Sequence, residues 1–193
     1  MNMFKLFAII VTLALLSGCA HQIQLNPNTD SFVSSEKIIN AVVGYHISDE
    51  DRKKIVTTDG GGGDDVSYSP YKDIESILFT VLSNKFKDVY LVKNLDDNSF
   101  IKENEIKLIF IPKIITQSSS SSLFTWPPTK FVIDLTVKVL NSSGDIVWEN
   151  KIKKTGEAEY DEFKTDFSLS ARRAVEKVFL QLAKDIEQES LIN

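Results

Sequence analysis

Apolar and polar residues alternate along several stretches of the chain, and a period of two is typical of β-strands. The alternation is cleanest over residues 131–140, where every second residue is apolar and points to one face. The polar run 141–145 is typical of a hairpin turn, after which Ile146, Trp148 and Ile152 are expected to continue the core face of a returning strand. Further strands are predicted over residues 37–48, 55–58, 88–93 and 105–117.

Two other stretches repeat their apolar residues at intervals of three and four, which is the period of an amphipathic helix. The first opens with Ser69 in the N-cap position and Pro70 in the first helical position, and its apolar stripe covers residues 74–86. The second covers residues 171–186 and also follows polar capping residues. Each stripe predicts one face packed against a core.

Residues 105–117 are apolar on both faces, because Ile109, Ile111 and Ile115 lie opposite a second apolar row. Such a strand is predicted to be central, or to have its second face covered by another element. Pro112 favours an edge or a bulge instead, because proline has no N–H to donate to a neighbouring strand. The order of elements predicts an α+β fold, an antiparallel-rich sheet with two helices packed on one face as a two-layer sandwich.

Two connecting segments carry no clear period. Residues 94–104 are polar and are predicted to form a loop. Four consecutive glycines, Gly60 to Gly63, stand between Asp59 and the pair Asp64-Asp65. The acidic spacing does not match a calcium-binding loop, so we interpret this segment as a mobile loop rather than a cation site.

The best candidate for a binding site is the connection after residues 105–117. A serine-rich linker over residues 118–122 leads into apolar residues and two consecutive prolines. Apolar loop residues are either packed onto the domain or displayed to a partner protein or a bilayer, and the sequence leaves both open. The candidate partner-binding residues are Phe124, Trp126, Pro127 and Pro128.

The first residues are typical of a secretion signal, in which Lys5 precedes an apolar run too short to span a membrane. We therefore predict a signal peptide over residues 1–18, a flexible tether over residues 19–35 and a single domain over residues 36–193. For part of the tether, a short strand over residues 22–25 that docks on the domain is the alternative.

Charge and composition narrow the classes of function. The net charge is −5 and no basic cluster is present, which argues against nucleic acid as a partner. His21 and His46 are the only histidines, and Cys19 is the only cysteine, so the sequence contains no zinc motif. It also lacks a nucleophile elbow. We predict that the protein is not an enzyme and has no metal and no cofactor.

The residues are compatible with two functions other than that of a binding accessory. One is a small-ligand carrier or enzyme with a pocket lined by Tyr45 or His46. The other is a structural protein that associates with itself through the second apolar face of residues 105–117.

The sequence Leu16-Ser17-Gly18-Cys19 resembles the lipobox of bacterial lipoproteins. In that family the cysteine thiol receives a diacylglycerol, the chain is cut before the cysteine, and the new amine is acylated with a fatty acid such as palmitate. The resemblance implies that Cys19 begins the mature chain and holds it to a lipid bilayer. Ala20 stands where an aspartate resembles an inner-membrane retention signal, which implies the outer membrane of a Gram-negative bacterium, on its periplasmic face.

The helix opening Ser-Pro-Tyr-Lys-Asp-Ile-Glu-Ser-Ile-Leu, the strand–loop–hairpin and the closing helix resemble the small YajG-type lipoproteins. The order of elements is also similar to that of lipoproteins that assist outer-membrane assembly, transporters or peptidoglycan synthases. These resemblances imply a non-catalytic accessory that docks on another protein of the cell envelope.

Overall fold

The structure, a computed structural model, describes residues 20–29, 32 and 39–189. The predicted signal peptide and Cys19 lie outside the described residues, as do residues 30–38 apart from residue 32. Within the described ranges, no helix is both long enough and apolar enough to cross a membrane.

The described strands form two mixed sheets. The main sheet has the order β5-β2-β6-β7-β8, with β5, β2 and β6 parallel and with β6, β7 and β8 antiparallel. The small sheet has the order β1-β4-β3, with β1 parallel and β3 antiparallel to β4. The strands are β1 (His21–Gln22), β2 (Ile39–Tyr45), β3 (Val56–Asp59), β4 (Asp65–Tyr68), β5 (Phe86–Leu91), β6 (Leu108–Ser119), β7 (Lys130–Asn141) and β8 (Ile146–Glu157).

The described helices are α1 (Asp49–Lys53), α2 (Pro70–Ser83), α3 (Asn98–Glu103), α4 (Tyr160–Phe163) and α5 (Leu169–Gln188). The long helices α2 and α5 bury their apolar stripes in one core with the inward side chains of β2, β6 and β7. The predicted α+β fold is confirmed, and the sheets are mixed rather than purely antiparallel. Ser69 occupies the N-cap position of α2 as expected, but its side chain makes no capping hydrogen bond.

The hairpin of β7 and β8 is confirmed, and its turn covers residues 141–145. The Asn141 side chain organises the turn, because its Oδ1 accepts from the N–H groups of Ser143 and Asp145, both at 2.9 Å. Gly144 has a φ of +87°, a conformation that favours glycine.

The start of β8 differs from the prediction. Trp148 and Ile152 do lie against the core, but Ile146 is 55% exposed. Leu140 pairs with Ile146 while the residue before Leu140 pairs with Trp148, so Val147 is an extra residue in a β-bulge. The bulge shifts the alternation, and Ile146 lies on the face opposite the helices.

The chain itself covers the second apolar face of β6 at Ile109 and Ile111, whereas Ile115 further along the strand is 56% exposed. Residues 94–104, predicted as a loop, contain the short helix α3, which Asp97 caps by accepting from Phe100 N–H at 3.0 Å. Ile101 of this helix forms a second core cluster with Ile109 of β6. The loop prediction was wrong because one turn of helix that buries one residue shows no measurable period. The other members of this cluster are Val92 and Ile106.

Pro112 lies where β6 changes from a central strand to a local edge. The neighbouring strand β2 pairs only with Leu108–Phe110 of β6. The N–H of Ile114 points to the side that β2 leaves open, and it donates to the Tyr71 hydroxyl at 3.2 Å. Pro112 faces the same side, so its missing N–H costs no strand hydrogen bond. Both sequence arguments about β6 therefore hold, each for a different half of the strand.

Candidate functional site at the loop end of the sheet

Residues 120–129 connect β6 to β7 at one end of the main sheet, which we call the loop end. The loop end lies beside the small sheet. The Tyr68 hydroxyl donates to Thr116 Oγ1 at 2.7 Å, and the hydroxyls of Thr58 and Ser118 are 2.6 Å apart. These bonds join β3 and β4 to the second half of β6. They bring the turn between β3 and β4 against the connecting loop.

The turn Gly60–Gly63 is packed against the connecting loop. Gly61 N–H donates to the Trp126 carbonyl at 2.8 Å. A Cβ atom on Gly61 would lie 2.0 Å from the Thr125 carbonyl oxygen, so no larger residue fits between the two loops. Gly60 and Gly61 are therefore packed, contrary to the mobile-loop interpretation, whereas Gly62 and Gly63 are exposed. Among the described residues, no group of three or more His, Cys, Asp or Glu is placed to hold a metal ion.

Three of the four predicted partner-binding residues belong to the packed part of the connecting loop. Pro127 and Pro128 are buried, and Trp126 is half-buried. The Trp126 ring stacks on the His21 ring with centroids 4.2 Å apart, and it contacts the Phe167 ring at 4.9 Å. Their role in binding a partner stays a prediction, but their positions show that they hold the loop to the domain.

The remaining predicted residue lies at a displayed tip. Phe124 is 95% exposed, and Leu123 beside it is 80% exposed. The tip has a defined backbone, because Ser122 Oγ accepts from the N–H groups of Phe124 at 3.3 Å and Thr125 at 3.1 Å. Of the four predicted residues, Phe124 is therefore displayed, and the other three are packed onto the domain.

The N-terminal segment that leads to this site is docked on the domain. Residues His21–Gln22 form β1, and Ile23 and Leu25 are 2% and 0% exposed. The flexible tether predicted from residue 19 is therefore wrong for residues 21–25, where the docked alternative describes the chain. Burial of two apolar side chains supplies the energy that a polar linker lacks.

Backbone hydrogen bonds fix this segment to both long helices. Gln24 N–H donates to Ser168 Oγ, just before α5, at 3.0 Å. Leu25 N–H donates to Asp73 Oδ2, in the first turn of α2, at 3.1 Å. Burial raises the pKa of the Asp73 carboxyl, and the Leu25 N–H opposes that shift. The segment thus has one orientation relative to the core.

We expect Gly61→Ala to displace the connecting loop while leaving the main core intact, because the added methyl group overlaps the Thr125 carbonyl. The cost should be about 1–3 kcal/mol in the free energy of unfolding. Trp126 emission, recorded in a Trp148→Phe background, should shift to longer wavelength as the ring leaves His21.

Gly63→Ala is the matched control, because a Cβ there meets nothing within 4 Å although φ is +87°. It should cost about 1 kcal/mol of strain without changing Trp126 emission. Equal emission shifts in the two variants would contradict the packing described for Gly61.

Tyr45 and His46, the residues expected to line a ligand pocket, are bonded within the domain. The Tyr45 hydroxyl donates to Glu75 Oε1 at 3.1 Å, and Arg52 donates to both carboxylate oxygens of Glu75 at 2.7 and 3.0 Å. A ring nitrogen of His46 lies 2.7 Å from the Val92 carbonyl. The surface depressions beside α3 and beside residues 119–121 are lined by other residues.

Because Tyr45 is buried and hydrogen-bonded to Glu75, the free energy of unfolding should depend on pH in the alkaline range. Burial, followed by the Glu75 charge, raises the pKa of Tyr45 to about 12. The folded pKa exceeds the unfolded value of about 10, so the stabilisation is complete below pH 10 and is lost as pH rises through 12. The free energy of unfolding should fall by about 2–3 kcal/mol between about pH 10 and pH 12.

Tyr45→Phe should remove this dependence. We expect the tyrosinate absorbance of the wild type, minus that of the variant, to titrate near pH 12. The difference in unfolding free energy between the two proteins should shrink over pH 10 to 12. A difference spectrum with its midpoint near pH 10 would show that Tyr45 is not held as described.

No family model matches the chain, and no curated protein matches it in sequence. The solved structures that share part of its shape include three bacterial proteins. A DUF330 protein from Xanthomonas campestris is 13% identical, with a TM-score of 0.45, and the match covers 87% of this chain and 91% of that protein. A PelC chain from a Paraburkholderia phytofirmans dodecamer is 14% identical, with a TM-score of 0.42 and coverage of 75% and 91%.

The third is a Helicobacter pylori protein described as a neuraminyllactose-binding hemagglutinin homolog. It is 14% identical, with a TM-score of 0.45 and coverage of 87% and 91%. At these identities and scores, neither the ligands nor the assemblies of these proteins transfer to this chain.

Proposed function

We propose that the protein is a lipid-anchored lipoprotein of the outer membrane that faces the periplasm and serves as a non-catalytic accessory of an envelope complex. The observation that carries the proposal is the position of the docked segment. The lipobox cysteine, Cys19, lies two residues before His21, which contacts the domain at the loop end. The buried residues Ile23 and Leu25 then hold that segment in place.

The arrangement of polar groups supports an accessory role. The Arg52–Glu75–Tyr45 network is directed within the domain and joins α1 and α2 to β2. Arg173 of α5 donates to the Glu162 carboxylate of α4 at 2.7 Å. This hydrogen bond lowers the pKa of Glu162 to about 2 and fixes α4 on α5. These polar groups are thus engaged in contacts that stabilise the domain itself.

Fractionation of cells that produce the full-length chain tests the proposal. In a Gram-negative host, the wild-type chain should sediment with the outer membrane, and Cys19→Ser should abolish both acylation and the outer-membrane location. Ala20→Asp keeps the cysteine and should move the acylated chain to the inner membrane. If Cys19→Ser stays in the outer-membrane fraction as fully as the wild type, the lipid anchor is wrong.

The accessory part of the proposal has its own test. Crosslinking of the acylated wild-type chain in cells should yield a defined adduct with one envelope protein. Loss of that adduct in the Cys19→Ser variant would show that the anchor brings the domain to its partner. Recovery of the chain with no protein adduct, from outer membranes that contain it in acylated form, would contradict the accessory role.

A further inference from the structure

Leu123 and Phe124, adjacent at the loop tip, are the two most exposed large apolar residues in the described part of the chain, at 80% and 95%. The tip is not a frayed end. Thr125 Oγ1 donates to Ser122 Oγ at 2.7 Å, and Gly62 N–H donates to the Ser122 carbonyl at 3.2 Å. Two adjacent apolar side chains are thus held outward on a backbone that is fixed on both sides, an arrangement that costs solubility and marks a contact surface.

The position of the chain's N-terminal segment indicates what covers this tip. Trp126, two residues beyond Phe124, stacks on His21. Cys19 precedes His21 by two residues, a separation of at most about 7 Å. Acyl chains on Cys19 therefore enter a bilayer beside the same loop that displays the tip.

The docked segment removes the freedom that would let the domain turn the tip away. Ile23 N–H donates to the Ser67 carbonyl at 3.0 Å, and Leu25 is fully buried. Only the short span between Cys19 and His21 separates the lipid from the first contact with the domain. The loop end therefore faces the leaflet that holds the anchor.

The charges around the tip exclude an electrostatic mode of attachment. Asp59, Asp64 and Asp65 are exposed on the adjoining turn, and on the other side of the connecting loop Glu157 and Glu159 outnumber Lys130. Acidic side chains are repelled by anionic headgroups. Contact at the tip must come from burial of its apolar side chains in the lipid.

We propose that Leu123 and Phe124 insert into the leaflet that carries the acylated Cys19, as a second, non-covalent membrane contact that sets the orientation of the domain. This inference rests on the proposed lipid anchor. A single apolar tip binds a bilayer weakly, but beside an acyl anchor it acts at high local concentration. Its contribution is independent of salt, because no ion pairs are involved.

Photo-crosslinking of the acylated, full mature chain in phosphatidylcholine vesicles tests the insertion. The photoreactive residue benzoylphenylalanine replaces Phe124 in one sample and Ile146 in the other. Ile146 is a matched control, because it is an apolar side chain, 55% exposed, at the start of β8 beside the far end of β7, about 35 Å from the loop end. We expect at least about tenfold more phospholipid adduct from position 124 than from position 146. The yield should be the same in 0.1 M and about 1 M salt.

The outcomes separate this inference from the lipid anchor. Equal lipid adducts at the two positions on a chain with acylated Cys19 would overturn insertion and leave the anchor standing. Adducts from position 124 to envelope protein alone, when the experiment is repeated in native membranes, would also overturn insertion and assign the tip to a partner. If the chain recovered from native membranes crosslinks to lipid from position 124 but has an unacylated Cys19, insertion is supported and the anchor is overturned.

Discussion

Replacing Leu25 with alanine should destabilise the domain by about 3 kcal/mol, although the sequence places this residue in a polar N-terminal segment. Leu25 is 0% exposed and belongs to the main core cluster with the side chains of α2 and α5. Truncation removes apolar contacts and leaves a cavity between these helices. Chemical denaturation, with the free energy of unfolding extrapolated to water, measures the effect.

Gln24→Ala is the matched control for that variant. Its side chain is exposed, and the bond it makes to Ser168 uses the backbone N–H, which alanine retains. The control should change stability by less than about 0.5 kcal/mol. If Leu25→Ala is equally neutral, residues 21–25 form the flexible tether that composition suggests, and the orientation of the loop end is lost with them.

Replacing Gly156 with alanine should have an effect of similar or larger size, about 3 kcal/mol or more. Gly156 lies in β8 under the first turns of α5, and a Cβ atom would lie 2.0 Å from the Ser170 carbonyl oxygen and 2.4 Å from Ala174 N. Both neighbours are backbone atoms, so no rotamer change relieves the overlap. The helix must move away from the sheet, which opens the core around Val175 and Val178.

Glu157→Ala separates this overlap from a general effect of alanine in β8. Glu157 is the exposed neighbour of Gly156, and its replacement should change the unfolding free energy by less than about 0.5 kcal/mol. Thermal and chemical denaturation of both variants measure the difference. A Gly156→Ala protein as stable as the control would show that α5 does not approach β8 as closely as described.

The sequence predicts those elements whose periodicity is long and local. The helices α2 and α5 and the strand β7 each bury one continuous face, so their pattern can be read over ten or more residues. Pro112 was also informative, because the absence of one N–H restricts the strand positions it can occupy.

The remaining elements depend on contacts that are distant in sequence. The bulge at Val147 changes which face Ile146 occupies, and one added residue leaves no trace in composition. Ile23 and Leu25 do alternate with glutamines, but two apolar residues in a polar segment are too few to outweigh a linker interpretation. The contact of Gly61 with Trp126 joins residues 65 positions apart, so no local pattern records it.

The candidate site was predictable only in part. Phe124 and Trp126 stand out in sequence as apolar residues in a long connection, yet they have opposite roles, one displayed and one packed on His21. Only the docked segment shows that the loop carrying the displayed residue contacts His21, two residues after the predicted anchor Cys19. The contact of His21 with Trp126 therefore relates the lipobox-like motif at Leu16–Cys19 to the loop end of the sheet.

The mass of the mature N-terminal peptide tests the central claim most directly. The full-length chain would be produced in a Gram-negative host, extracted from the membrane fraction and digested, and its N-terminal peptide would be analysed by mass spectrometry. A lipid-anchored protein predicts a peptide that begins at Cys19 and carries a diacylglycerol on the thiol and a fatty acid on the amine. A peptide that begins elsewhere, or one with a free Cys19 thiol, would contradict the lipid anchor.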